Sequence, residues 1–323
     1  MLETFERDED LPELGWNDFP EAMTAMAAGQ LLSSEARKVL AKGERVEHPH
    51  ANGRTVLHHW TPAEPNGQPP VVLLHGGSGS WTHWVRSILP LTEAGHDVWT
   101  VDLPGMGESD NVAGAQDADG LLDTLAQMLQ ERFPLQPVQL VGFSFGGMTA
   151  GMLAAAHPHV VQQLVIVGAP GIGLSAKHPF QLKAWRHLKS PYAQLQNHVF
   201  NLGELMLSDP AKITRDTVAL HVANVQRDRL PRRRISSTDI LVKSLLKVTC
   251  PVTAIYAERD ALYPKLLDEV ETLLATSARN FQGMHRVPDA GHWVQYEAPE
   301  AVHALLLPIL AGPQPVEAAE AEA

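Results

Sequence analysis

The chain has 323 residues, 44% hydrophobic and 19% charged, which is enough apolar mass for a sizeable core and argues against a mainly disordered chain. Its formal charge of −12 sits at the ends: residues 1–21 carry a net −7, Glu317, Glu320 and Glu322 add to the tail, and the body is close to balanced. Without a basic excess, a nucleic-acid binder working by phosphate neutralisation is disfavoured; the single cysteine, Cys250, excludes an internal disulfide and any cysteine-rich metal or iron–sulfur centre.

Along the chain, residues 1–45 form an acidic arm with a helix expected over Glu21–Lys42. The arm has no basic segment followed by an apolar run, and nothing later approaches the roughly 18 apolar residues of a membrane span. A soluble, cytoplasmic protein without a membrane partner is expected. Short β-branched runs bounded by Gly, Pro or Asp then predict strands at Thr55–Trp60, Val71–His75, Asp97–Val101, Val138–Gly142, Leu164–Gly168, Val252–Ala257 and Phe281–Val287. Helices are expected between them at Trp81–Glu93, Asp117–Phe133, Gly146–His157 and Lys265–Ala275, with a last one over Pro299–Leu310. Such alternation predicts an α/β fold, with a mostly parallel central sheet and helices on both faces. Residues 171–248 break the rhythm: helical stretches at Phe180–Leu188, Ala193–Leu207 and Ile213–Val225, with no strand, are too long for a connection. They predict a helical cap over the strand ends, where sheets of this kind place their chemistry. The core is thus expected at 46–170 and 249–311, and the Pro/Ala/Glu tail 312–323 is expected to be disordered.

Gly142-Phe143-Ser144-Phe145-Gly146 closes one predicted strand and opens an apolar helix. In a strand–turn–helix context, glycines two residues either side of a serine relieve the crowding of a sharp turn that lifts the hydroxyl above the sheet. Ser144 is therefore the candidate nucleophile, and it needs a base. His292, in the loop between the last strand and the last helix, is that candidate. His285 lies within a strand, His303 on a helix flank, and His75 in a turn it would stabilise. For the carboxylate that orients the imidazole, Asp260 directly follows the strand Val252–Ala257. Asp209, Asp216, Asp228 and Asp239 fall in the cap, Asp268 on a helix, and Asp289 shapes the histidine loop. Glu258 is the close competitor. An acyl-transfer site also needs oxyanion donors. His75-Gly76-Gly77-Ser78-Gly79 follows the second predicted strand, so the amides of Gly77 and Phe145 are assigned that role, with Ser78 as the alternative to Gly77. Trp293, Phe143 and Ser78 are the expected substrate contacts.

This ordered set of His75-Gly76-Gly77, Gly142–Gly146, Asp260 and His292, with the turn Asp102–Asp110, resembles the α/β-hydrolase superfamily over residues 46–311. The resemblance implies that fold, an inserted cap and a Ser144–His292–Asp260 triad acting on a small-molecule substrate. Ser144 stands where epoxide hydrolases and haloalkane dehalogenases carry aspartate, which counts against those activities. Gly291–Glu297 and Asp102–Asp110 are similar to the meta-cleavage-product hydrolases, which cut a carbon–carbon bond in vinylogous diketo acids. Here, however, Ser78 follows Gly77 where that group carries a longer glycine run with proline, and Phe143 replaces its asparagine. The leading expectation is hydrolysis of a carboxylic ester or lactone. Carbon–carbon hydrolysis is the alternative, for which Arg186 or Arg232-Arg233-Arg234 would supply a cation. A non-catalytic small-ligand binder is the alternative from another class.

No cofactor is expected, since neither a Gly-x-Gly-x-x-Gly turn nor a phosphate loop with lysine is present. No metal is expected either: His48/His50, His58/His59 and His157/His159 lack a third ligand at a recognisable spacing. The acidic N-terminal arm is a candidate for pairing two copies into a homo-oligomer.

Overall fold

The computed structural model describes residues 33–174 and 180–312. Eight strands form one sheet: β1 (Glu44–His50), β2 (Gly53–Trp60), β3 (Val71–Leu74), β4 (Val98–Asp102), β5 (Val138–Phe143), β6 (Val161–Val167), β7 (Val252–Ala257) and β8 (Phe281–Val287). Their spatial order is β1-β2-β4-β3-β5-β6-β7-β8. β1, β2 and β4 pair antiparallel, and every pairing from β4 to β8 is parallel. Alternate residues of each central strand feed opposite faces. Val72 and Leu74 join one core layer with Leu125, Leu129, Met148 and Leu274. Val71 and Leu73 join the other with Ile88, Leu91, Val302 and Leu306. Both faces are covered, as parallel strands require.

The helices are α1 (Ser34–Leu40), α2 (Ile88–Glu93), α3 (Leu122–Arg132), α4 (Phe145–Ala156), α5 (Pro191–Asn201), α6 (Arg215–Gln226), α7 (Ile240–Leu245), α8 (Leu267–Ser277), α9 (Val294–Glu297) and α10 (Pro299–Ala311). Three of these, α5 to α7, lie between β6 and β7, and no strand is present among the described residues of that stretch. No helix among the described residues is long and apolar enough to cross a membrane.

Four differences from the sequence-based expectations have local causes. The sheet begins earlier than expected, because β1 is an edge strand of sequence Glu-Arg-Val-Glu-His-Pro-His. It shows no apolar alternation and contains a proline, features tolerated only at an edge. The expected helix Trp81–Glu93 splits into a 3-10 turn, Trp81–Trp84, and α2. Continuous helix would put Pro90 in its interior, against the Arg86 carbonyl; the break leaves Pro90 in a first turn. Phe180–Leu188 is not helical. Its backbone pairs outward instead: Lys183 N–H and C=O bond the side chain of Asn201 at 2.7 and 2.9 Å, Asn197 donates to the Ala184 carbonyl, and Gln181 N–H reaches Glu204. The expected helix Glu21–Lys42 is described only from residue 33, where it runs Ser34–Leu40. Most of the arm and the tail 313–323 lie outside the described residues.

Candidate active site

The site follows from strand register. β4 lies on one side of β3 and β5 on the other, so chain direction across the sheet reverses there and a crevice opens at the carboxyl ends. Leu74 pairs with Gly142, Phe143 with Val167, Val167 with Ile255, and Ala257 with Val287. The loops after β3, β5, β7 and β8 therefore emerge side by side.

At the end of β5, Ser144 has φ 51° and ψ −121°, a left-handed conformation that side chains rarely adopt. The turn is so tight that a Cβ on Gly142 would lie 2.4 Å from the Gly146 carbonyl oxygen. A Cβ on Gly146 would lie 2.3 Å from that of His75. Ser144 Oγ is 2.8 Å from His292 Nε2, and His292 Nδ1 is 2.9 and 3.0 Å from the two carboxylate oxygens of Asp260. Asp260 and His292 are buried, and Leu262 N–H donates to Asp260 Oδ1 at 2.9 Å. The three side chains form one unbroken hydrogen-bonded line. Gly168 passes close beneath the histidine–aspartate pair.

Gly77 and Phe145 border the same cavity as Ser144 and His292. Phe145 is the first residue of α4, a position whose N–H has no acceptor within the helix. Gly77 N–H likewise makes no hydrogen bond among the described residues. His75 is occupied as a turn residue: its Nδ1 donates to the Gly76 carbonyl at 2.7 Å and its Nε2 accepts from Leu103 N–H at 2.9 Å. Glu258 is exposed, and Asp289 pairs with Arg259 on the surface.

The expected substrate contacts separate into three situations. The ring of Phe143 borders the cavity as a floor, 5.0 Å from the His292 ring. Ser78 also borders it, but its hydroxyl is committed, donating to Asp228 at 2.6 Å and accepting from Arg233 at 2.9 Å. Trp293 is a correction. It is 1% exposed and borders neither cavity described here, because its ring stacks on Tyr296 and its Nε1–H donates to the His83 carbonyl. Its backbone N–H pairs with the Met206 carbonyl of the inserted segment at 2.8 Å, so it braces the histidine loop.

The cavity at Ser144, about 240 Å³, adjoins a second of about 540 Å³ lined in part by the inserted segment. Gly77, His83, Leu182, Met206 and Arg233 border both. Lys183 and Arg186 line the second chamber, and Asp228, its one acid, is paired with Arg233 at 2.6 Å. Of the arginine run, only Arg233 turns inward; Arg232 and Arg234 are exposed. His221 also borders this chamber, but burial beside His198 pushes its pKa down to about 3, so it adds no charge at neutral pH.

Two positioning carboxylates were not singled out from sequence. Buried Asp102 accepts from Trp81 N–H at 2.7 Å and Glu108 N–H at 2.9 Å, tying the loop after β3 to the turn after β4. Buried Glu297 accepts from the N–H groups of Gly291, Ser208 and Asp209 and from the Ser208 hydroxyl, at 2.6–3.1 Å. It thus clamps the histidine loop to the inserted segment. Both stand inside the motifs quoted above, but only the fold reveals what they hold. Glu297→Ala would leave the buried Gly291 N–H and the part-buried donors of Ser208 and Asp209 without their acceptor, costing about 3 kcal/mol. The expected result is a melting temperature lower by about 5–10 °C, with kcat falling alongside, read by calorimetry and initial rates.

The model of the alpha/beta hydrolase family matches residues 71–305. A 2-hydroxy-6-oxononadienedioate/2-hydroxy-6-oxononatrienedioate hydrolase of Cupriavidus pinatubonensis is 28% identical over 266 residues, covering 76% of this chain and 87% of its own. Among solved structures, carboxylesterase CesB of Bacillus subtilis matches with a TM-score of 0.68 at 17% identity, over 92% of this chain and all of its own. The meta-cleavage product hydrolase of Pseudomonas fluorescens IP01 matches with a TM-score of 0.64 at 20% identity, over 81% and 96%. On the match across most of its length, the chain belongs to the alpha/beta hydrolase family.

Proposed function

We propose that this hydrolase cleaves a carbon–carbon bond in an acidic, vinylogous diketo substrate of the meta-cleavage type, with Ser144, His292 and Asp260 as its catalytic triad. The observation that carries the reading is the second chamber, whose charged lining is a net cation: Lys183 and Arg186 beside an Arg233–Asp228 pair that cancels itself. The Lys183 and Arg186 side chains are exposed at the rim, where Arg186 donates to the Val225 and Asp228 carbonyls and the Lys183 ammonium lies 3.7 Å from the Phe200 ring centroid. A guanidinium with five N–H donors and an ammonium with three retain donors that suit a carboxylate. The named relative acts on a substrate whose name ends in dioate, which agrees with a site built for acid.

In this mechanism His292 Nε2 takes the proton of Ser144 as Oγ attacks the keto carbonyl, while Asp260 holds the imidazole by its Nδ1–H. The amides of Gly77 and Phe145 receive the oxyanion. When the tetrahedral species collapses, the carbon–carbon pair of electrons passes into the conjugated enone, giving a dienolate. The proton held by His292 goes to that leaving group. Water, deprotonated by His292, then attacks the ester on Ser144 and releases a carboxylic acid, restoring the serine hydroxyl. Atoms balance as addition of one water.

Ester hydrolysis is the second reading, favoured by the apolar lining of the cavity at Ser144, where Phe143, Phe145, Phe180, Met206 and Leu262 would suit an acyl chain. It uses the same acyl-enzyme. The expected result is kcat/KM for a 2-hydroxy-6-oxo-dienoate at least about 100-fold above that for p-nitrophenyl butanoate, followed by loss of dienoate absorbance. The reverse preference would return the protein to the esterases. Absence of fluorophosphonate labelling at Ser144 in folded protein would instead favour a ligand binder.

A further inference from the structure

The loop after β3 holds one residue in a conformation that its side chain disfavours. Ser78 has φ 51°, in the left-handed region that glycine occupies freely and serine does not. It directly follows Gly77, whose N–H faces the oxyanion in the mechanism above. On either side the loop has ties of its own: Gly76 N–H donates to His83 Nδ1 at 3.1 Å, and Ser80 Oγ donates to Asn224 Oδ1 at 2.7 Å. Ser78 is gripped through its hydroxyl, which donates to Asp228 Oδ2 at 2.6 Å and accepts from Arg233 Nη2 at 2.9 Å. Arg233 Nη1 bonds the same Asp228 oxygen at 2.6 Å, so the three side chains close a ring. The guanidinium also lies along the neighbouring glycine, since a Cβ on Gly77 would be 3.4 Å from Nη1. This grip has a fixed base. Around it, Arg229 N–H donates to the Gly105 carbonyl at 2.8 Å, Arg232 N–H to that of Gln116 at 3.1 Å, and Ile235 N–H to Asp117 at 3.1 Å.

We propose that Arg233 is a positioning residue for the oxyanion site: with Asp228 it holds Ser78 in the left-handed conformation and so fixes the direction of the Gly77 N–H. Released from this pair, Ser78 relaxes toward negative φ, and rotation there swings the Gly77–Ser78 peptide and the amide before it. The inserted segment thus completes the site that receives the oxyanion. Preorganised donors are effective only while they are held in place, which gives the grip a catalytic consequence. The inference rests on Ser144 as nucleophile and Gly77 as donor, and not on the identity of the substrate.

The test is the rate at which diisopropyl fluorophosphate labels the full-length protein, followed by mass spectrometry over a range of concentrations to separate the limiting rate from half-saturation. In labelling, the bond from Ser144 Oγ to phosphorus forms as the phosphorus–fluorine bond breaks. Fluoride leaves, the serine proton passes to His292, and the phosphoryl oxygen draws on the Gly77 amide. The reagent is uncharged, so a guanidinium that only bound a substrate acid would not affect its rate. Arg233→Met is expected to lower the limiting rate about 10-fold, with half-saturation within about 2-fold of wild type. In a Ser78→Gly background, where glycine holds the left-handed turn unaided, the same substitution is expected to cost no more than about 2-fold. An unchanged limiting rate in Arg233→Met overturns the proposal, as does a loss confined to half-saturation. A loss equally large in the Ser78→Gly background overturns it too, because Arg233 would then act on the cavity directly or on the fold at large. Should Arg233→Met fail to fold, Ser78→Ala and Ser78→Gly decide. Both lack the hydroxyl, but only alanine resists positive φ, so its limiting rate is expected at least about 5-fold below that of Ser78→Gly. Equal rates for the two overturn the proposal. Wild type that does not label removes Ser144 as nucleophile and the proposal with it. The expected labelling pattern without dienoate cleavage would keep the role of Arg233 and sink the carbon–carbon reading alone; dienoate cleavage with an undisturbed Arg233→Met rate would do the opposite.

Discussion

Ser144→Ala is expected to lower kcat by about 10⁵–10⁶-fold on every substrate the wild type turns over, leaving the slow residual rate that oxyanion donors and binding alone sustain. The size follows from the removal of the one hydroxyl that bonds His292 Nε2 among the described residues, 2.8 Å away. Cys250 lies before β7, at the opposite end of the strand from Asp260, and burial pushes its thiol up to about 11. The fold should be spared, because alanine fits the same backbone and the lost hydrogen bond is worth about 1 kcal/mol. A melting temperature within about 3 °C of wild type, beside the collapsed rate, separates chemistry from folding. Turnover near the wild-type rate would remove Ser144 as nucleophile and the acyl-enzyme with it.

The hydrogen-bonded line of Ser144, His292 and Asp260 was legible in sequence because each member is marked by local chemistry at a strand end. Glycines flank Ser144 for steric reasons, Asp260 follows a buried apolar run, and His292 sits in the one loop between the last strand and the last helix. Residues whose work is done across the fold carry no such mark. Glu297 lies on a four-residue helix, and nothing nearby in sequence says that its carboxylate gathers Ser208 and Asp209, almost 90 positions away. Trp293 misled for the complementary reason. Adjacency to His292 suggested a shared surface, yet the chain turns into α9 at that point and directs the indole toward Tyr296 and the Trp81–Trp84 turn. Arg233 could not be told from Arg232 and Arg234 by composition; its inward turn depends on Ser78 and Asp228, contributed from both sides of the cavity. Phe180–Leu188 has the amphipathic spacing of a helix, but the asparagine side chains of α5 offer its backbone a competing set of hydrogen bonds.

Asp260→Asn tests the remaining member of the line, and its expected cost is about 10⁴-fold in kcat. In the native site the carboxylate accepts from His292 Nδ1–H with either oxygen, at 2.9 and 3.0 Å, which leaves Nε2 unprotonated and able to receive the Ser144 proton. An asparagine amide can turn its NH₂ toward the ring; Nδ1 must then accept, and the proton moves to Nε2, where it faces the serine as a donor. The geometry survives while the base is lost. No negative charge remains to stabilise the imidazolium formed during attack, so the two losses act on the same step. KM should change little, since Asp260 does not border either chamber. Glu258→Gln serves as the contrast, because the Glu258 side chain is exposed and outside the hydrogen-bonded line, and its rate should stay within about 2-fold of wild type. A fall of several orders of magnitude for Glu258→Gln, with Asp260→Asn close to wild type, would move the orienting acid to Glu258 and break the line the structure draws from Ser144 through His292.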